Sequence, residues 1–235
     1  MRTVQIRHPE KGRRLAVVDG TVLRLIDGAD SLYDLAGLAI TRGGEIGALA
    51  TDCLGELVID YDPVYQGSSP WTLLPAFDHP EDPAHCLVTG TGLTHLASVR
   101  NRDAMHGGES DQPLTDSMKV FQWGVAEGKP GQGAIGVQPE WFFKGDGSIL
   151  RAHGQDLVRP AFAEDGGEEP EIAGLYRVSE DGIPWLVGHA GGNEFSDHAM
   201  ERRNYLYLAP SKLRECALGP EAVIGEPLPD SIGGR

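Results

Sequence analysis

Three cysteines in 235 residues, Cys53, Cys86 and Cys216, are too few and too scattered for a disulfide framework, and none forms a Cys-x-x-Cys pair. They are read as reduced, packed thiols. Cys216 follows two cations, Lys212 and Arg214, which would favour a thiolate, but an ordinary packed cysteine is the preferred reading there too. Positive charge is also scarce. Twenty Lys and Arg stand against 35 Asp and Glu, and the net charge of -15 repels phosphate backbones and anionic membrane surfaces. Nucleic acid and membrane are therefore not expected as partners. No apolar run approaches the roughly 20 residues needed to cross a bilayer, and the first residues lack the apolar core of a secretion signal. A soluble, cytoplasmic protein is expected. Neither an internal repeat nor a low-complexity segment is present.

What is plentiful is turn chemistry. With 32 Gly and 16 Pro beside 40% hydrophobic residues, the composition predicts a real core built from short strands joined by many turns, with more sheet than helix. Val4–Ile6, Leu15–Val18 and Val22–Ile26 are apolar runs broken by Lys11-Gly12 and Asp19-Gly20, which predicts an antiparallel sheet at the start of the chain. Leu32, Leu35, Leu38 and Ala39 at helical spacing, with Asp30-Ser31 before them and Gly43-Gly44 after, predict a helix over 31–42. A second helix is predicted over 46–57. Residues 63–83 are rich in Pro, Ser and Asp and read as a connector. The expected division is a small N-terminal α+β domain over 1–80 and a second domain over 81–235.

In the second part, Cys86-Leu87-Val88 runs into Thr89-Gly90-Thr91-Gly92-Leu93-Thr94-His95, which lacks the third glycine of a dinucleotide fingerprint. Residues 99–118 are polar and Gly-rich and read as a surface loop. Trp141-Phe142-Phe143-Lys144 is an aromatic strand ending in a lysine, either solvated or delivered to a pocket edge to bind an acid. Ile172–Val178 and Ile183–Val187 flank Ser179-Glu180-Asp181-Gly182 as a hairpin, and Ser196–Glu201 resembles a capping box opening a helix to Leu208.

Glu169-Pro170-Glu171 sets two carboxylates at i and i+2, which an extended chain presents on one face, with Glu194 returning on the far side of the hairpin. Three oxygen donors without Cys or paired His suit Mg²⁺, Mn²⁺ or Ca²⁺. Taken by itself, the run from Glu164 to Glu169 reads first as a solvated charged turn.

Four ordered matches go further. Glu169-Pro170-Glu171-Ile172-Ala173, Gly192-Asn193-Glu194-Phe195-Ser196-Asp197, Ser211-Lys212 and Leu218-Gly219-Pro220 resemble the core of the fumarylacetoacetate hydrolase superfamily. Gly90–His95 and Pro139–Lys144 resemble its branch of 2-keto-3-deoxy sugar acid dehydratases. The resemblance spans roughly residues 84–221. It implies a mixed α+β, β-rich fold of rolled sheets around a metal site, and a homodimer. Mg²⁺, with Mn²⁺ or Ca²⁺ as substitutes, is implied on Glu169, Glu171 and Glu194, with Lys212 and Lys144 at the catalytic site. His95 is expected to join them in catalysis by protonating the leaving hydroxyl, and Thr94, Glu201 and Tyr205 are expected to bind the substrate, a small 2-oxo acid. Glu201 and Tyr205 are expected one turn apart on one helix.

Three departures qualify the resemblance. Glu194 stands where the family carries Asp, the histidine of the C-C hydrolases is missing at its expected offset, and the C-terminal strands and Thr-Gly-Thr loop of the family are expected to be absent. Dehydration of a 2-keto-3-deoxy pentonate to 2,5-dioxopentanoate is the expected activity. Hydrolysis of a C-C bond in a 2,4-diketo acid, or a non-catalytic metal-binding relative, stays open.

Overall fold

Short apolar runs and a left-handed Gly20, φ 59°, fold the first 26 residues into three strands: β1 (Arg2–His8), β2 (Gly12–Asp19) and β3 (Val22–Ile26). The computed structural model describes residues 1–92, 116–138 and 140–225. Helix α1 (Leu32–Arg42) follows, with the Ser31 hydroxyl accepting the Asp34 N–H at its start and a left-handed Gly43 at its end. Both ends fall where the sequence places them.

The second predicted helix is shorter than expected. It stops as α2 (Ile46–Asp52), and Leu54–Asp60 forms strand β4, paired antiparallel to β3 from Val22↔Asp60 to Ile26↔Leu54. Adjacent β-branched Val58 and Ile59 and the open edge of β3 favour the extended chain there. Short helix α3 (Tyr61–Tyr65) and strand β5 (Thr72–Leu73) cover one face, where Val4, Ile6, Ala16, Val18, Leu23 and Leu25 pack with Tyr61, Val64, Trp71 and Leu73. Burial of these side chains, at about 25 cal/mol per Å² of apolar surface, is the main force holding this layer.

β6 (Leu87–Thr91), helix α4 (Asp116–Glu127) and β7 (Trp141–Asp146) come next, and β6 and β7 form a two-stranded sheet of their own. Gly90 is required there, because a Cβ would meet the Phe142 ring at 2.2 Å. After β8 (Leu150–Arg151), the predicted hairpin appears as β9 (Pro170–Val178) and β10 (Pro184–Asn193). Helices α5 (His198–Arg203) and α6 (Leu208–Lys212) precede the last strand, β11 (Cys216–Ile224).

Strand β11 joins the two ends of the sequence into one nine-stranded sheet, whose main order is β4-β3-β2-β1-β11-β10-β9. It pairs antiparallel with β1 through Arg2↔Val223 and with β10 through Ala190↔Ala222. Two compact units result. One holds Met1–Leu87 with the described part of Gly145–Pro227, and the other holds the described part of Val88–Lys144. Residues 80 and 81, where the sequence suggests a division, both lie within the first unit. The fold is mixed α+β and rich in strands. No helix of the described residues is long and apolar enough to cross a membrane.

On the other face of the sheet, Gln5 accepts the Leu32 N–H of α1. Arg177 of β9 donates to the Tyr33 carbonyl and stacks on the Tyr33 ring, its guanidinium carbon 3.8 Å from the ring centre. Gly37 makes room for that guanidinium, which a Cβ would meet at 2.4 Å. Helix α1 is thus tied to the strand that begins at the acidic stretch.

Candidate metal centre

The antiparallel register of β9 and β10 creates the site. Asn193↔Pro170 and Gly192↔Glu171 are opposed, and the Glu194 N–H donates to the Glu169 carbonyl at 2.9 Å. Asn193 locks the crossing: its Oδ1 accepts the N–H groups of Glu169 and Phe195, both at 3.1 Å. Phe195 takes a left-handed φ of 47°, turning the chain after Glu194. Carboxylate oxygens of Glu169, Glu171 and Glu194 then lie within 4.8 Å of one another, the one such acidic group found among the described residues. Glu168, read from the sequence as solvated, is exposed.

A cation sits among these acids. Lys212, at the end of α6, is buried and places Nζ 2.8 Å from both oxygens of Glu169, 3.4 Å from Glu194 and 3.3 Å from Glu201. It also donates to the Ser196 hydroxyl at 2.9 Å. Burial pushes its pKa down, but Glu194, Glu169 and Glu201 together outweigh that and raise it. Lys212 is therefore a fixed cation rather than a proton acceptor in this arrangement. The same pair acts on Glu169: burial pushes its carboxyl upward, while a hydrogen bond with Glu194, the charge and hydrogen bonds of Lys212, and His198 hold it at about 2.

Below the site lies a second buried pair that the sequence reading missed. Asp197 and Arg214 are fully enclosed, 3.3 Å apart. Asp197 accepts the Met200 and Glu164 N–H groups at 2.9 and 2.8 Å, while Arg214 donates to the carbonyls of Asp165 and Ser196. Burial works against the Asp197 carboxyl, but the N–H groups of Met200, Glu164 and Asp165 and the Arg214 guanidinium hold it at about 2. This lattice fixes Ser196, and Ser196 fixes Lys212. The sequence offers Ser-Asp at 196–197 as part of the motif after Glu194 and as a helix start, and Asp197 does cap the helix.

Other expected site residues fall differently. Glu201 reaches the site, bonded to the Ser211 hydroxyl at 2.7 Å. Tyr205 does not share its helix: α5 ends at Arg203, Asn204 is extended, and Tyr205 opens a separate 3₁₀ turn. The expected one-turn spacing of Glu201 and Tyr205 is thus lost, because the chain leaves the helix at Asn204. Lys144 belongs to the second unit, where it is buried rather than solvated. Thr94 and His95 lie outside the described residues. His198, just after the Ser196-Asp197 motif, also reaches the site, with its Nε2 2.9 Å from Glu169 Oε1.

The donor set fits a hard divalent cation. All three groups offer oxygen, and their separations, within 4.8 Å, are short enough for one hard cation to reach all three with small side-chain adjustments. Four carboxyl groups, Glu169, Glu171, Glu194 and Glu201, surround the single ammonium of Lys212, an acidic excess that favours a further cation.

Comparison with solved structures finds the same fold in proteins of the fumarylacetoacetate hydrolase type. A 2-keto-3-deoxy-D-arabinonate dehydratase complexed with magnesium and 2,5-dioxopentanoate superposes with a TM-score of 0.61 at 22% identity, over 95% of this chain and 66% of that one. 5-Carboxymethyl-2-hydroxymuconate delta-isomerase from Mycobacterium smegmatis gives 0.51 at 16% identity, over 97% and 68%. Fumarylacetoacetate hydrolase from psychrophilic Exiguobacterium antarcticum gives 0.54 at 13%, over 96% and 67%. The chain spans about two thirds of the length of these proteins. No protein-family model and no curated protein matches the chain. The fold is therefore one shared by dehydratases, isomerases and hydrolases.

Proposed function

We propose that this chain is a divalent-metal-dependent lyase that dehydrates a 2-keto-3-deoxy pentonate to 2,5-dioxopentanoate. The observation that carries the reading is the convergence of Glu169, Glu171 and Glu194 on one point, with buried Lys212 against Glu169. The similar fold of the magnesium-bound arabinonate dehydratase supports the substrate class. Glu169, Glu171 and Glu194 would hold Mg²⁺, with Mn²⁺ or Ca²⁺ as substitutes. When bound, such an ion polarises the 2-oxo group of the acid and makes its C3 hydrogens more acidic.

The protein's own groups do the rest. Lys212 stays protonated and neutralises negative charge on the 2-oxo acid. Ser196 and Glu201 hold its ammonium in place, so little reorganisation is needed when charge develops. Glu201 has an oxygen in the same neighbourhood to accept a substrate hydroxyl. Net loss of one C3 hydrogen and the C4 hydroxyl leaves an unsaturated acid, which tautomerises to the dioxo product. The roles of Lys144 and His95 in catalysis and of Thr94 and Tyr205 in binding belong to this proposal, as does a homodimer, which light scattering would test.

Purified protein with Mg²⁺, given 2-keto-3-deoxy-arabinonate and, separately, an acylpyruvate, distinguishes the readings. Semialdehyde from the sugar acid is the expected result. Pyruvate from the acylpyruvate would make the chain a C-C hydrolase, and turnover of neither would leave a metal-binding relative without this activity.

A further inference from the structure

We infer that His198 is the residue that determines which oxygen of Glu169 faces the metal, and so sets the preference of the site for small over large divalent cations; this rests on the metal reading above. The imidazole Nε2 lies 2.9 Å from Glu169 Oε1, and since an ionised carboxylate only accepts, Nε2 carries the hydrogen. Lys212 Nζ is 2.8 Å from the same oxygen. Oε1 therefore has two donors, which use both of its lone-pair directions. Oε2 has Lys212 at 2.8 Å, which leaves its other direction for the contact with Glu194, the place where a cation would stand between the two ligands. Glu169 is thereby restricted to one coordinating oxygen.

The backbone that carries the ring is fixed by its neighbours. The His198 backbone N–H donates to Asp165 Oδ1 at 3.0 Å, next to the Ala199 backbone N–H on Oδ2 at 3.1 Å. Gly167 faces the ring, and a Cβ there would meet its atoms at 2.5–2.8 Å. Gly167 is itself pinned by reciprocal backbone bonds with Ser196, both 2.8 Å. The helix start, the acidic loop and the glycine thus bring the imidazole to one oxygen of one ligand.

Coordination number is what separates the candidate ions. Mg²⁺ takes six close oxygens in an octahedron, whereas Ca²⁺ takes six to eight and readily uses both oxygens of a carboxylate. A glutamate with one oxygen occupied by His198 disfavours the larger shell. Removing the imidazole N–H frees Oε1, allows two-oxygen coordination and moves the preference toward Ca²⁺.

The test compares wild type, His198→Leu and His198→Gln by calorimetric titration with Mg²⁺ and with Ca²⁺. Gln places an amide N–H near the position of Nε2, and Leu keeps bulk without a donor. The expected result is a Mg²⁺-over-Ca²⁺ affinity ratio that falls about tenfold or more in His198→Leu and returns to within a few-fold of wild type in His198→Gln. An unchanged ratio in His198→Leu, or equal shifts in both variants, overturns the inference while leaving the metal site intact. Failure of the wild type to bind either ion overturns the metal reading and this inference with it. Should His198→Leu not fold, the infrared carboxylate bands of the Ca²⁺-loaded wild type against His198→Gln decide. Two-oxygen coordination of Glu169 already present in wild type overturns the inference, and its absence supports it.

Discussion

Lys212 Nζ stands 2.8 Å from each of the two carboxylate oxygens of Glu169, and this pair is the hinge between the protein's stability and its proposed chemistry. The lysine is buried, yet the carboxylates around it raise its pKa. It acts as a permanent positive charge within a cluster of acids. The cluster could not collapse to this spacing without it, since like charges at a few ångströms repel strongly where water is scarce.

Replacing that charge should therefore destabilise the protein before it affects anything else. Lys212→Met leaves Glu169 and Glu194 half-buried without their cation, and the expected loss is about 3 kcal/mol of unfolding free energy in metal-free urea titrations. Millimolar Mg²⁺ should recover part of the loss, and more than it adds to wild type. Dehydration should stay absent in the refolded, metal-loaded variant.

Glu171→Gln separates binding from folding. Glu171 is exposed, so the substitution should shift stability by no more than about 0.5 kcal/mol. It removes one of the three charged oxygens of the triad, and Mn²⁺ affinity measured by titration should fall at least about tenfold, with activity falling in parallel. Unchanged affinity would mean that Glu171 is not a ligand.

Much of this arrangement could be read from the chain because its parts are local. The apolar runs Val4–Ile6 and Leu15–Val18, the Ser31 cap, the Gly43 stop and the Ser179–Gly182 turn each act within a few residues, and each forms as expected. Glu169 and Glu171 share a face for the same local reason. The pairing of β1 with β11 was not legible, because Thr3 and Ala222 meet across almost the whole chain and no periodicity reports a partner that distant. Nor was the Asp197–Arg214 pair, whose two members look like a helix cap and a surface cation until the fold brings them together, both enclosed, at 3.3 Å. The helix expected over 46–57 stops early because the free edge of β3 offers Leu54–Asp60 a set of backbone partners, which no local pattern reports.

Gly219 tests the irregular stretch inside the last strand, β11. Its φ is +115°, which side chains rarely adopt, and a Cβ would meet Ala76 Cβ at 3.2 Å and Ala76 N at 3.3 Å. Gly219→Ala should cost about 1–3 kcal/mol, lowering the melting temperature by roughly 2–12 °C. Divalent-ion affinity should be retained in the folded fraction, because the strain falls at Ala76 rather than at the acidic triad.

The acid limb of the stability curve should report Asp197. Its folded pKa of about 2 lies below the roughly 3.9 of an unfolded aspartate, because backbone N–H groups and Arg214 hold the charged form against burial. A depressed carboxyl binds its proton more readily when unfolded, so its contribution is complete above about pH 4 and is lost as pH falls toward 2. Urea titrations of wild type should show stability falling through that window. Asp197→Asn keeps the size and one acceptor but leaves Arg214 without its counter-charge, and should lower stability at pH 7 by about 3 kcal/mol. Between pH 4 and 2 its curve should be flatter than that of wild type, so the two converge toward the acid end. Parallel curves over that interval would show that Asp197 is not the group titrating there.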